Sequence, residues 1–388
     1  MKTHAIFCSL VNPYRRHSNG GSEDIRRRIT ALASIIDSVT VYAIDYPQEL
    51  VTPEPIPANV HLHLYERGID PRPWRWRYPL ACIRRYNRRM IMDIRREVAD
   101  CTEQLIIFIE GMQLFGLWSD IKDVVPKNAK IILRALNVES DYHRSVAMES
   151  RGFLKLAHQI SSAQYEPLED RLLGEVSFIY CISETEMVNL KKRYPEIASR
   201  LRLVLPIPRL NQLGYIPLEA NAPFILSYFG DLALPNNYNG LHWFCKNVLP
   251  QMRAQNVQLR IAGKGSEQFV GYAGVEVYGF VDNIDEFVRN AHVIVAPIFS
   301  GAGVKIKVLD TIGYGKPLVT TPKGAEGFPS WLTERINVAA DAKEFQVIFE
   351  RIMRCYEDAT KMAGEVQKDL STKMSAEKFR QQLSGDIL

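Results

Sequence analysis

The 388-residue sequence has no C-x-x-C pair among its six cysteines, no apolar run near the length of a membrane span, no Asp-x-Asp motif in a suitable loop and no internal repeat. Cys8, Cys82, Cys101, Cys181, Cys245 and Cys355 are scattered without metal-ligand spacing. They read as small buried hydrophobes in a reducing cytoplasm, so no metal is expected. Without a span of about 20 apolar residues, no transmembrane helix is expected. The opening MKTHAIFCSLVNPY carries too short an apolar run for a signal peptide and reads as a first strand, so the expected location is cytoplasmic. Excess charge is also scarce: 48 basic against 44 acidic residues leave a net +4, and no nucleic-acid partner is expected.

Apolar material is plentiful. At 46% hydrophobic and 24% charged residues, the chain can build two full cores. Strand-like runs alternate with amphipathic helical patterns throughout, the signature of parallel α/β architecture. In the first half the strands are expected at 5–11, 39–43, 60–64, 105–109, 131–133, 178–181 and 201–204. The first helix should follow Gly20 and Gly21, with Ser22 as its cap and Ile25, Ile29, Leu32 and Ile36 as its buried stripe.

The proline-rich, aperiodic segment 206–223 reads as a linker. It separates an amino-terminal Rossmann-like domain, 1–205, from a second, 224–370, with 371–388 as a terminal helix packing back on the first domain. The stretch from Ala342 to about Leu383 reads as two helices. Two such domains facing one another place their ligand loops around an interdomain cleft.

The stretch SGAGVKIKVLDTIGYGKP, 300–317, lies between the runs VIVAP and PLVTT, so it forms the loop and helix of a strand-loop-helix-strand unit. Gly301 and Gly303 let the backbone approach a ligand, and Lys305 and Lys307 add charge to the helix amino terminus. Lys307 and Asp310 are three apart and share a face, fitting a phosphate with a sugar hydroxyl beside it. An ordinary helix with two solvated lysines fits this window equally well. Two further strand-to-helix turns precede it, FGDLALPNNYNG at 229–240 and GFVDNIDEFVRNA at 279–291.

Taken in order, FGDLALPNNYNGLHWFCKNVLPQM, LRIAGKG, YGFVDNIDEFVRNAHVIVAP and GAGVKIKVLDTIGYGKPLVTTPKGAEGF resemble the nucleotide-sugar domain of family 4 retaining glycosyltransferases, in a glycine-rich variant of the E-x7-E motif. In the first half NGGS at 19–22, LRALNVES at 133–140 and FIYCISETEMVNLKK at 178–192 resemble the same family more loosely. The resemblance implies the GT-B fold and a hexosyltransferase-like enzyme that uses a nucleotide-diphosphate sugar, with no cofactor and no metal. The product implied is a cell-surface polysaccharide or glycoconjugate, built on a glycan or lipid-linked acceptor with retention of anomeric configuration.

The resemblance also implies residue roles. Lys305 and Lys307 fall on the diphosphate and Asp310 on the donor ribose. Gly230, Asp231, Val281, Gly301, Ala302, Gly303 and Val304 fall in the donor loops, and Gly20 and Gly21 in the amino-domain glycine loop. Three departures stand out. Ala302 replaces the motif's first glutamate. Asp231 and Asn239 stand near the places of the family's usual arginine and lysine, and Leu136 stands where relatives often have histidine. Charge building on the departing diphosphate is what the lysines and backbone N–H groups would stabilise. Glu110, Asn137 and Glu139 lie at strand ends on the acceptor side, where polar residues also serve as caps.

A basic, aromatic segment occupies 72–96. Pro79 suits a first helical turn, and Ile83, Tyr86, Met90, Ile94 and Val98 form an inward stripe. Arg84, Arg85, Arg88 and Arg89 are then outside, beside Trp74 and Trp76. Either they meet anionic lipid at the inner face of the membrane, making the protein peripheral, or they are solvated. The rival functions are an epimerase or phosphorylase on the same fold and a non-catalytic membrane-associated scaffold.

Overall fold

A computed structural model describes residues 2–15, 20–52, 54–219, 221–252, 255–301 and 303–387, with backbone alone at 149. The chain forms two compact units, Met1–Ile207 with Ala376–Leu388, and Pro208–Ser375.

The first unit runs β1 (Thr3–Ser9), α1 (Gly20–Ala33), β2 (Ser38–Asp45), β3 (Val60–Glu66), α2 (Leu80–Ile83), α3 (Arg88–Asp100), β4 (Gln104–Glu110), α4 (Phe115–Ile121), β5 (Lys130–Ala135), α5 (Glu139–Glu149), α6 (Gly152–Glu175), β6 (Phe178–Cys181), α7 (Glu184–Arg193) and β7 (Leu201–Leu203). The second comprises β8 (Phe224–Phe229), α8 (Pro235–Asn247), α9 (Leu249–Met252), β9 (Val257–Ala262), β10 (Val275–Gly279), α10 (Ile284–Arg289), β11 (Val293–Ala296), α11 (Ile306–Ile312), β12 (Leu318–Thr320), α12 (Ser330–Thr333), β13 (Asn337–Val338), α13 (Ala342–Arg354) and α14 (Tyr356–Lys373). The last helix, α15 (Ala376–Ile387), belongs to the first unit.

Each unit is a parallel sheet, ordered β3-β2-β1-β4-β5-β6-β7 in the first and β10-β9-β8-β11-β12-β13 in the second. Strands such as Ala5–Cys8 and Ile106–Ile109 are buried along their whole length, because helices cover both faces. Strand order reverses between β1 and β4, and again between β8 and β11. The carboxyl ends at those reversals leave a crevice where ligands of open α/β sheets bind.

Three expectations need correction. Helix α1 starts at Gly20, so Ser22 lies buried within its first turn instead of capping it, while Ile25, Ile29, Leu32 and the following Ile36 are buried as a stripe. The basic segment is two helices: Asn87 accepts the Met90 N–H at 3.1 Å and starts α3 afresh, while Gly68 and Tyr86 pair through their backbones. A side-chain acceptor there competes with the helix ladder and breaks it. The carboxyl-terminal stretch is three helices, not two.

The proposed linker is partly ordered by α11. Asn211 donates its backbone N–H to Gly313 O (3.2 Å) and Leu213 to Tyr314 O (3.0 Å). A Cβ on Gly313 would lie 1.8 Å from Arg209 O, so only glycine permits this approach.

Candidate functional site

In the second unit the loops at the β8/β11 reversal assemble around Lys307. After β8 the chain turns at Gly230, whose φ of 156° lies at the margin of the region that favours glycine. A Cβ at Gly230 would come within 2.5 Å of Lys307 Nζ. The ammonium lies 3.9 Å from the Tyr228 ring centroid and 5.3 Å from that of Phe229, both attractive cation–π placements. Burial alone pushes the Lys307 pKa down to about 7, and among the described residues no carboxylate forms an ion pair with it. A half-buried cation with ring faces and no counter-ion among the described residues is complementary to an anion arriving from outside.

Lys305 is placed differently. It donates to Gly303 O at 2.6 Å and Gly301 O at 3.1 Å, and it pairs with Glu326 at 3.6 Å. Its ammonium is occupied in bracing the glycine loop, where Gly301 and Gly303 both have positive φ. Val304 is half-buried beside it. Ala302, the departure from the E-x7-E motif, lies outside the described residues.

Asp310, on the turn of α11 after Lys307, accepts the backbone N–H of Arg209 at 2.7 Å. Arg209 also bonds Asp285 at 2.9 Å through its guanidinium, and Asp285 accepts from Asn211 (2.6 Å) and from the Tyr314 hydroxyl (3.0 Å). Arg209 and Asp285 are thus neighbours of Asp310 that the sequence reading missed. The only signal for Arg209 was a basic residue within a presumed linker. Asp231 makes a local turn, with its carboxylate on Ala233 N–H at 3.0 Å, and Val281 is half-buried between β10 and the Asn283 cap of α10.

In the first unit, Gly20 and Gly21 open α1, a 14-residue helix. Glu110, expected on the acceptor side, is instead buried at the end of β4, and both its oxygens accept from Arg28 at 2.7 Å. Asp24 pairs with the same guanidinium at 3.0 Å. Both carboxylate oxygens of Glu110 are thus engaged by a buried arginine. Arg134, also buried, is pushed down to about 10 by burial and then by Arg28.

Glu139, the first residue of α5, is buried and accepts from Gln113 at 2.8 Å, with half-buried Asn137 alongside. Burial, then the charge of Glu169, raises its pKa to about 7. Glu186, on α7, is raised to about 8 by burial and then by Glu139. Glu186 and Glu169 were invisible as partners of Glu139 because they are 47 and 30 positions away in the chain.

Of the four arginines expected on a lipid face, Arg84, Arg88 and Arg89 are exposed, but Arg85 is half-buried and donates to Ala81 O at 2.6 Å. Arg72 and Arg75 are held by Asp70 and Asp120.

Two Rossmann-like sheets with loops gathered at their reversals define the fold class: it is that of GT-B glycosyltransferase structures. Sucrose-phosphate synthase from Thermosynechococcus elongatus superposes with a TM-score of 0.67 at 14% identity, covering 99% of this chain and 98% of that one. Anabaena HepE, solved in complex with UDP, superposes with a TM-score of 0.64 at 11% identity, covering 99% of both chains. More particularly, residues 223–358 match the family described as glycosyl transferases group 1. A Klebsiella pneumoniae protein described as an uncharacterized 44.6 kDa protein in the cps region is 30% identical over 149 residues. That match spans 35% of this chain and 38% of the Klebsiella protein.

Proposed function

We propose that the protein is a glycosyltransferase that moves a sugar from a nucleotide-diphosphate sugar to a glycan or lipid-linked acceptor in cell-surface polysaccharide synthesis. The observation that carries this reading is Lys307, a half-buried ammonium against two aromatic rings with no carboxylate partner among the described residues, set at the strand-order reversal of the second unit. The group 1 match over 223–358 includes that site, HepE is a similarly folded protein that binds UDP, and the Klebsiella relative lies in a cps region.

In this reading Lys307 meets the diphosphate and Asp310 the ribose, with Lys305 holding the glycine loop in shape for backbone N–H donation. The anomeric carbon–oxygen bond to the diphosphate breaks as the acceptor oxygen bonds the same carbon. The acceptor proton passes to the leaving phosphate on the same face, which retains configuration without a protein base or a metal. Lys307 lowers the barrier most, because negative charge grows next to it as the bond breaks. Glu139, its pKa raised to about 7 by burial and then by Glu169, is assigned to hydrogen-bond an acceptor hydroxyl, while the proton itself leaves with the phosphate.

The test is thermal stabilisation by uridine, guanosine, adenosine and thymidine diphosphates, followed by a hydrolysis screen of the matching nucleotide sugars. We expect one diphosphate to stabilise the protein and its sugar conjugate to be hydrolysed slowly without acceptor. No stabilisation by any of the four sinks the reading.

A further inference from the structure

We propose that the exposed stripe of α6 is a docking surface for an anionic lipid bilayer. Phe153, Leu156, Ala157 and Ile160 recur at i, i+3, i+4 and i+7, a spacing that normally turns inward to a core. Here Phe153 is 85% exposed, Leu156 52% and Ile160 50%. The opposite face is the buried one, through Ser162, Tyr165, Glu169 and Leu172. Ser162 Oγ donates to Ser140 O at 2.8 Å and Ser140 Oγ to Glu169 at 2.5 Å, so that face is pinned to α5. The helix cannot rotate its apolar stripe inward without breaking buried hydrogen bonds.

The surroundings identify the occupant. Residues 150–165 contain no acid, and Arg151 and Lys155 are exposed at the same end of α6. Gln164 Nε2 lies 3.5 Å from Trp76 O, which brings the turn Pro73–Arg77 beside the end of the stripe. Trp76 is 67% exposed there, Arg77 is exposed, and residues 71–92 are again without an acid. An apolar stripe edged by cations and an indole fits the interfacial zone of an anionic bilayer. A two-fold contact with a second copy would instead oppose Arg151 and Lys155 to cations on a stripe that offers no acid. This surface centres on α6 and shares Trp76, but not Arg84, Arg85, Arg88 or Arg89, with the lipid face expected from the sequence, and it is independent of the donor-site reading.

The experiment is flotation of the full chain with vesicles of phosphatidylcholine, alone or with about one quarter phosphatidylglycerol, at low and at ~0.15 M salt. We expect binding to the anionic vesicles that weakens with salt, with a blue shift of tryptophan emission. The triple variant Phe153→Ser, Leu156→Ser, Ile160→Ser should weaken it at least about tenfold. Its far-ultraviolet circular dichroism should be unchanged, since the three side chains are outside the core. Absence of binding to anionic vesicles, or equal binding by the triple variant, overturns the proposal. So does a sedimenting dimer that the triple variant dissociates, because a second copy would then cover the stripe.

Discussion

Lys307 carries an inherent cost that its proposed role explains. Its folded pKa, about 7, lies below the value near 10.5 of the unfolded chain, so between those pH values the unfolded state binds more protons. Stability should therefore rise with pH through that window, and Lys307→Met should flatten the rise and lift the melting temperature at pH 7, checked by scanning calorimetry. The same variant should weaken binding of the stabilising diphosphate by roughly 10- to 100-fold, the usual worth of a charge-assisted hydrogen bond. An arriving phosphate raises the lysine pKa again, so binding above pH ~7 should take up a proton and lose affinity as pH rises. Titration calorimetry in buffers of different ionisation enthalpy measures that uptake. Affinity independent of pH from 7 to about 9 would remove Lys307 from the phosphate. Glu110 belongs at this scale too: Glu110→Gln leaves Arg28 short of its counter-charge in a buried setting and should destabilise the first unit by about 3 kcal/mol in urea unfolding.

At the scale of elements, α11 organises the candidate site. It carries Lys307 and Asp310 on adjacent turns, and its end accepts the extended segment that includes Arg209 and Asn211. Gly313→Ala would drive a methyl into Arg209 O and displace that segment, with an expected loss of ~2 kcal/mol and a loosening of Asp310 seen as weaker diphosphate binding. Gly230→Ala acts otherwise. Its methyl meets the far end of the Lys307 side chain, which can swing away, and the positive φ adds backbone strain, so binding should fall along with a smaller loss of stability than Gly313→Ala brings. Comparing the two variants by melting and by diphosphate titration separates scaffold from ligand contact. Helices such as α1 and α13 were legible because their stripes repeat at 3.6 residues, whereas the break at Asn87 depends on one side chain accepting one N–H.

At the scale of the whole molecule, α15 returns to the first unit after the second is complete. Phe379, Leu383 and Ile387 join the cluster of Ala5, Ile25 and Val39, and Asp386 accepts from Tyr180 at 3.0 Å and Arg202 at 2.7 Å. Deleting residues 376–388 exposes apolar surface worth about 1.5–3 kcal/mol per large side chain, so the first unit should melt early while the second is spared. Limited proteolysis with mass mapping distinguishes this from a uniform loss. The sequence by itself determined the alternation of buried strands and amphipathic helices, and hence the two parallel sheets. It also placed the glycine loop and Lys307 after a strand, because those signals are local and set by backbone period. Only the tertiary structure decided which charges are free. It turned Lys305 onto its own loop, buried Glu110 on Arg28, gathered Glu139 with Glu186, and faced the stripe of α6 outward. Each depends on a partner distant in the chain or on a competing face of the same helix, which no local periodicity encodes.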